Sequence, residues 1–457
     1  MIDLSTVKNI HFIGIGGVSN SAIAEILLAG GYHVSGSDLH ASDFSNHLSD
    51  RGIEVFIGHS ADHITNADLV VYTSAVADDN PELIAASSKG IPCLSRAEML
   101  GQLMLSYKNS IAISGTHGKT TTTSMLTRMF NDSKFDPTAL VGGYFEDIKS
   151  NVKIGKSDMF ITEACEYKEN FLSFFPKIGI ILNIDEDHLD YFRDLDHIVN
   201  AFVKFTKNIP KDGLLIINGD DYNAGKIKPY YKGKLKTFGL SDTCDYIARN
   251  VTYNNLGCAS FDIFNGEKRI AFIDLKVPGQ HNVYNAMAAF VAGLQFTSDV
   301  SLLQSRLSSF KNANRRFEYV GKMDGYTIID DYAHHPNEIR ATLDAAARIE
   351  GIQKIICIFQ PHTYSRTKEL LHGFSGAFGQ ASEVVLCDIY AAREVDPGDI
   401  HSKDLMKALV KEGIEAIHFD NFAAIANYIH THAKPGDLVI TMGAGDVTEI
   451  GKMILKQ

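Results

Sequence analysis

The stretch Gly115-Thr116-His117-Gly118-Lys119-Thr120-Thr121 has the residue types of a phosphate-binding turn. It follows the apolar run Ser110–Ser114 and opens a helix-length segment, so it reads as strand, turn and helix start. Gly115 and Gly118 let the backbone fold tightly with its N–H groups facing an anion, where a helix N-terminus adds about half a positive charge. From such a turn Lys119 reaches the β- and γ-phosphates of a nucleoside triphosphate, and the Thr120 hydroxyl suits Mg²⁺. The loop is short, with Ile113 where G-x-x-x-x-G-K-[ST] has its first glycine. ATP binding is favoured over an ordinary strand–helix turn. Because Lys119 lies on a turn, its replacement by alanine is expected to abolish turnover and spare the fold.

Phosphoryl transfer needs cations against the triphosphate and side chains to hold them. Glu163 and Glu166 end the strand-like segment Asp158–Cys165, and His188 follows Lys177–Ile184. Ligands collect at the carboxyl ends of strands in open α/β sheets, so these groups and Lys119 are expected to converge. Taken singly, Glu163 also fits a helix cap and His188 a surface loop.

A second glycine turn, Ile13-Gly14-Ile15-Gly16-Gly17, follows the first strand-like run, as a pyrophosphate site requires. Ser19 replaces the last glycine of G-x-G-x-x-G, which weakens a simple dinucleotide reading. Asp38 ends the next strand and suits a ribose or sugar hydroxyl, or a turn. Gly279-Gln-His-Asn-Val-Tyr-Asn-Ala starts a helix; an Asn282 cap explains its alanines but not His281 with Asn285. Asp330-Asp-Tyr-Ala-His-His-Pro and Phe359-Gln-Pro-His-Thr-Tyr-Ser-Arg end two strands expected to be adjacent, which implies a polar cleft facing the middle of the chain. Metal binding by both His334 and His335 is disfavoured, since neighbouring residues seldom aim at one ion.

These groups need rigid elements behind them. The 457 residues imply about three domains. Short apolar runs alternate with helix-length segments from Lys8 to Tyr107, predicting a Rossmann-like domain over 1–108. A central ATP-binding α/β domain is expected over 109–312, with an added β segment where Asn265-Gly266 joins two alternating runs. After a polar hinge at Asn312–Phe317 the alternation returns, predicting a second Rossmann-like domain over 313–457. With 45% hydrophobic and 21% charged residues the chain is an ordinary globular α/β protein. A net charge of −12 disfavours broad nucleic-acid binding, while a local cationic pocket remains compatible with it. Six scattered cysteines, with no C-x-x-C pair, point to a reducing cytoplasm, and neither a leader nor a membrane-spanning run is expected.

Gly14-Ile-Gly-Gly, Gly115-Thr-His-Gly-Lys-Thr, Glu163-Ala-Cys-Glu, Asn183 with Asp187-His188, Gly279-Gln-His-Asn, Arg315-Arg-Phe-Glu, Asp331-Tyr-Ala-His-His-Pro and Gln360-Pro-His together resemble the Mur ligases of peptidoglycan synthesis. The likeness runs in order along essentially the whole chain. It implies an ATP-driven amide bond between the lactyl carboxylate of UDP-N-acetylmuramate and the amine of L-alanine, through an acyl phosphate, with Mg²⁺ or Mn²⁺. A murein tripeptide on the same nucleotide sugar is the alternative. By the resemblance, Gly115, Thr116, His117, Gly118, Lys119, Thr120 and Thr121 hold the ATP phosphates. Thr120 and Glu163 hold one metal ion and His188 a second; Lys119, Glu163 and His188 are the catalytic set. His281, Asn282 and Asn285 meet adenine and ribose, with Arg316 and Asp331 closing over them. Gly14, Gly16 and Gly17 cradle the UDP pyrophosphate beside Asp38, and His362 and Arg366 orient L-alanine. Two points depart or stay open. Thr363 stands where many relatives have arginine, and the lysine that some members carbamylate has only Lys204 and Lys207 as positional counterparts, neither assigned. The motifs set no oligomeric state. A nicotinamide oxidoreductase built on the first glycine turn leaves Lys119 unexplained, and a non-catalytic nucleotide-binding regulator predicts ATP binding without phosphate release.

Overall fold

Asn9–Ile13 and Leu69–Tyr72 are almost continuously apolar because both faces of their sheet are covered. In the computed structural model, which describes residues 2–392 and 394–456, they join a five-stranded parallel sheet. Its spatial order is Glu54–Ile57, His33–Asp38, Asn9–Ile13, Leu69–Tyr72, Cys93–Ser95. The order reverses at Asn9–Ile13, and the Gly14–Gly17 turn leaves that strand's carboxyl end, where α/β sheets bind ligands.

The central sheet has ten strands. Leu214–Asn218, Ile178–Ile181, Asn109–Ser114 and Met159–Glu163 lie side by side and parallel, so the Lys119 loop and Glu163 leave neighbouring strand ends. Tyr246–Tyr253, Cys258–Asn265 and Lys268–Pro278 extend one edge as the expected antiparallel segment, with Gly266 at φ +56° in the Asn265-Gly266 turn. The other edge, Thr138–Phe145 and Ser150–Lys153, is absent from the sequence reading, as are Lys234–Gly239, Cys93–Ser95 and Glu318–Met323. The Gln280–Gly293 helix is buried nearly all round against the sheet and the Lys119–Phe130 helix, which explains its alanines and brings Asn285 to the phosphate loop.

The third sheet is ordered Glu318–Met323, Tyr326–Asp331, Leu438–Met442, Ile355–Phe359, Glu383–Leu386, Ala416–His418, with only the first strand antiparallel. This corrects the expected adjacency of Tyr326–Asp331 and Ile355–Phe359. The last strand, Leu438–Met442, hydrogen-bonds to both and lies between them. Their polar ends still meet, with the His334 and His362 rings 5.8 Å apart.

The core joins the domains unequally. One apolar cluster runs from Phe12 and Met99 in the first sheet's layer to Phe171 and Phe202 in the second, whereas the third sheet keeps its own clusters. The third module therefore meets the second mainly through polar side chains. No helix of the described residues is long and apolar enough to cross a membrane.

Candidate active site

The phosphate loop is clamped by a side chain from the adjoining strand end. Asn183 accepts the His117 N–H at 2.8 Å and donates to the His117 carbonyl at 3.1 Å. Gly118 sits at φ +86°, and a Cβ there would lie 2.4 Å from Asn285 Oδ1, so only glycine fits. Lys119 Nζ donates to the carbonyls of Gly115 and Thr116 and to both Glu166 oxygens, at 2.5, 3.0, 3.1 and 2.9 Å. Burial opposes the ammonium charge, but Glu166 outweighs it and raises the lysine's pKa. The Thr120 hydroxyl donates to Glu163 Oε2 at 3.1 Å, while Gly142 N–H donates to Oε1 at 2.5 Å. Burial pushes the Glu163 carboxyl up despite these donors.

A cavity of about 300 Å³ adjoins this loop. His117, Gly118, Thr121, His281, Asn282, Asn285, Arg316 and Asp331 all line it, so every base- and ribose-side residue expected from the sequence lies on one wall or another. Asn285 donates to Asn282 Oδ1 at 3.0 Å, and Asn282 donates to the Pro278 carbonyl at 2.7 Å, which fixes both amides. Asp331 accepts from the backbone of Phe317 and Ala333, both at 2.8 Å, yet burial pushes it up to about 6. Thr120 opens, with Arg316, onto a neighbouring cavity of about 830 Å³.

The first glycine turn borders a separate cavity of about 850 Å³ lined by Gly14, Gly17 and Asp38. Gly16 lies behind it, donating its N–H to Asp38 Oδ2 at 2.9 Å, so one oxygen of that carboxylate serves the turn. Asn20 donates to the Gly14 carbonyl at 3.0 Å, closing the turn that Ser19 leaves without a third glycine.

Between the three modules lies a cavity of about 540 Å³. His188, His362 and Arg366 line it, together with Ser74, Arg96, Asp187 and Glu394. Arg366 donates two N–H groups to Asp187 Oδ1 at 3.1 and 3.3 Å and lies 3.1 Å from His362 Nδ1. Burial of Asp187 is outweighed by His188, Arg366, His334 and His335, which hold its carboxyl well below the usual range. His188 packs on Tyr167, ring centroids 4.5 Å apart, with Nε2 4.0 Å from Glu166 Oε1. His188 lines this cavity, whereas Thr120 lines the 830 Å³ one. Thr363, at φ +64°, caps the helix that carries Arg366 rather than entering the cavity as a charge. His334 and His335 point to different partners, the Tyr332 and Glu186 carbonyls. Lys204 is exposed and paired with Glu169 at 2.8 Å.

Arg96, which borders both the 850 Å³ and 540 Å³ cavities, escaped the sequence reading. The capping box Ser95-Arg-Ala-Glu98 announces its helix, but nothing in the spacing says that the first side chain reaches two cavities.

His117 spans the second and third modules. Its Nδ1 lies 3.1 Å from Glu338 Oε1 and its Nε2 3.5 Å from Asp185 Oδ2. Burial disfavours the charged ring, but Asp185 and Glu338 outweigh it and raise its pKa from 6.5 to about 9. A raised histidine contributes stability that is complete below its unfolded value and lost as pH passes its folded value. Thermal midpoints should therefore fall between pH 7 and 10, with His117 accounting for about 3 kcal/mol. His117→Gln should flatten that part of the profile; equal slopes in variant and wild type would refute the assignment.

The chain matches known proteins along nearly its whole length. Residues 9–108 match the model of the Mur ligase family, catalytic domain, residues 113–293 the Mur ligase middle domain, and residues 315–445 the Mur ligase, glutamate ligase domain. A UDP-N-acetylmuramate–L-alanine ligase of Alkaliphilus metalliredigens is 49% identical over 456 residues, covering 100% of this chain and 99% of that protein. One from Clostridium acetobutylicum is 49% identical over 450 residues, with 98% of each chain covered. The solved UDP-N-acetylmuramate-alanine ligase of Thermotoga maritima superposes with a TM-score of 0.80 at 30% identity over 98% of both chains. A murein peptide ligase from Psychrobacter arcticus shares the fold, with a TM-score of 0.71 at 23% identity over 98% of both chains. With all three of its modules matched in order, the chain belongs to the Mur ligase family.

Proposed function

We propose that the protein joins L-alanine to the lactyl carboxylate of UDP-N-acetylmuramate at the expense of ATP, in cytoplasmic peptidoglycan precursor synthesis. The observation that carries this reading is the arrangement of the cavities. A glycine-turn cavity and a phosphate-loop cavity flank a junction where Lys119's partner Glu166, His188 and Arg366 meet. Residues 1–108 would serve the nucleotide sugar, 109–312 ATP and 313–457 the amino acid. The six free cysteines and the use of ATP support the cytoplasm.

A carboxylate is a poor electrophile. Transfer of the γ-phosphate to the lactyl oxygen makes an acyl phosphate, the alanine amine attacks its carbonyl carbon, and inorganic phosphate leaves. Lys119 offsets charge on the transferred group, and the backbone N–H groups of Gly115–Thr121 hold the other phosphates. Arg366 receives the alanine carboxylate and sets the amine towards the junction. The third module turns about Asn312–Phe317, where Arg315 and Phe317 hold φ of +59° and +51°, to admit substrates and exclude water.

The donor set at Thr120 and Glu163, a hydroxyl beside a carboxylate, fits a hard cation such as Mg²⁺ or Mn²⁺. At His188 the nearby Glu166 is already neutralised by Lys119, so a second ion there would lean on phosphate oxygens as well. Bound metal would neutralise triphosphate charge. Glu163→Gln should raise the Mg²⁺ concentration for half-maximal phosphate release about tenfold, and an unshifted titration would remove Glu163 from that role.

Phosphate release with UDP-N-acetylmuramate against L-alanine and against L-alanyl-γ-D-glutamyl-diaminopimelate tests the whole reading. Turnover with alanine is expected. Turnover with the tripeptide alone would transfer the protein to the recycling branch.

A further inference from the structure

Beneath the 850 Å³ cavity lies a knot of titratable side chains that the reaction above does not use. Glu82, in the first turn of the Pro81–Lys89 helix, has no exposed surface. Its Oε2 accepts the Ser37 hydroxyl at 2.6 Å and lies 3.1 Å from His59 Nδ1, while Oε1 lies 2.7 Å from His63 Nδ1. His11, also fully buried, places Nε2 3.7 Å from Oε1. His63 is held flat on Phe56, ring centroids 4.1 Å apart. Burial opposes the Glu82 charge, yet His11, Ser37 and His63 outweigh it and keep the carboxyl at about 2.

An ionised carboxylate only accepts hydrogen bonds, so His59 must carry its proton on Nδ1. In the neutral ring Nε2 is then a bare acceptor. His59 lines the cavity, and its Nε2 has no hydrogen-bond partner among the described residues. Leu39, 62% exposed, and Val76 line the same cavity and offer an apolar surface to a planar ring. Uracil brings an N–H donor at N3. Cytosine has a lone pair there, which would face the lone pair of Nε2 with neither satisfied.

We infer that Glu82 is a positioning residue for base selection: it holds His59 in the Nδ1–H form, so that Nε2 accepts the N3–H of uracil and rejects cytosine. The inference rests on the reading of this cavity as the nucleotide-sugar site and adds how the base is chosen. A missing hydrogen bond between two buried acceptors is worth about 10-fold to 100-fold in affinity.

The test uses the full-length protein, UDP and CDP as probes, and the isosteric Glu82→Gln variant, whose amide both donates and accepts. Calorimetry should show wild type preferring UDP by at least about tenfold, and the variant's preference shrinking to within about threefold through weaker UDP binding. The KM for the nucleotide sugar should rise about tenfold, with the KM for ATP within about twofold. Independently, ¹⁵N spectra of histidine-labelled wild type should show His59 as the Nδ1–H tautomer, with the Nε2 resonance moving on addition of UDP. A folded variant that keeps the full UDP preference overturns the inference, as does an Nε2–H tautomer in wild type. That spectrum decides alone if the variant does not fold. Wild type that binds neither probe removes the nucleotide-sugar reading and this inference together, whereas UDP binding with an unchanged ratio in the variant removes only the role of Glu82.

Discussion

Lys119→Ala is expected to lower ATP-dependent phosphate release at least about 1,000-fold at saturating substrates, because in the proposed reaction the transferred phosphoryl group would lose a fixed cation. The sequence alone predicts a fold that tolerates the change. The structure changes that. Lys119 is mostly buried and bonds both oxygens of Glu166, a residue 2% exposed. Removing one partner of a buried pair costs about 3–5 kcal/mol when the other charge stays behind. The single variant should therefore lose both turnover and thermal stability. The double variant Lys119→Ala with Glu166→Gln separates the two effects, since the stranded charge is gone. Its melting temperature should return most of the way to wild type while ADP formation stays at the single variant's level. Near-normal ADP formation in either variant would dismiss Lys119 from phosphoryl transfer; no recovery of stability in the double variant would mean that the lysine's bonds to the Gly115 and Thr116 carbonyls matter more than its ion pair.

Much of this was legible because phosphate loops are local. Gly115 to Thr121 occupy one turn, and their strand and helix are spelled out by apolar periodicity on either side. The expectation that Glu163 and His188 lie at strand ends followed from the same periodicity. What stayed hidden is long-range or weakly patterned. Arg366 and Asp187 are 179 residues apart, and His117 and Glu338 are 221 apart, so no spacing rule pairs them. The Thr138–Phe145 strand carries Gly142 and Gly143 and so lacks an alternating face there, though Gly142 is required because Glu163 Oε1 lies 2.6 Å from where its Cβ would be. Lys234–Gly239 has two lysines in its first three positions and reads as a loop. The Glu82 knot gathers residues from two strands, a loop, a short turn of helix and a longer helix, and its His59 and His63 each resemble a surface histidine when taken alone. The site's chemistry could be read from motifs, whereas its tautomers and ion pairs depend on which distant carboxylate each cation meets.

Arg366→Ala carries the second large effect. An arginine that receives a carboxylate through charge-assisted bonds contributes about 2–4 kcal/mol, so the KM for L-alanine should rise about 100-fold, with the KM values for ATP and the nucleotide sugar within about threefold. Arg366→Lys should recover little, since a point charge does not reproduce the planar fork. The complication is Asp187, which engages the guanidinium in the structure and so competes with an incoming carboxylate. Asp187 keeps the His188 backbone N–H as a donor at 2.7 Å, but burial lowers His334 to about 4 and also lowers His335, so neither ring replaces the lost guanidinium and a melting curve must accompany the kinetics. The remaining ambiguity is geometric, because Arg366 belongs to the third module and Asp187 to the second. If the pair served mainly to dock the modules, breaking it would weaken ATP and alanine alike, since both sites are built across that boundary. A rise in KM confined to alanine assigns the guanidinium to the amino acid; parallel rises for alanine and ATP assign it to docking and leave alanine recognition to His362 and Glu394.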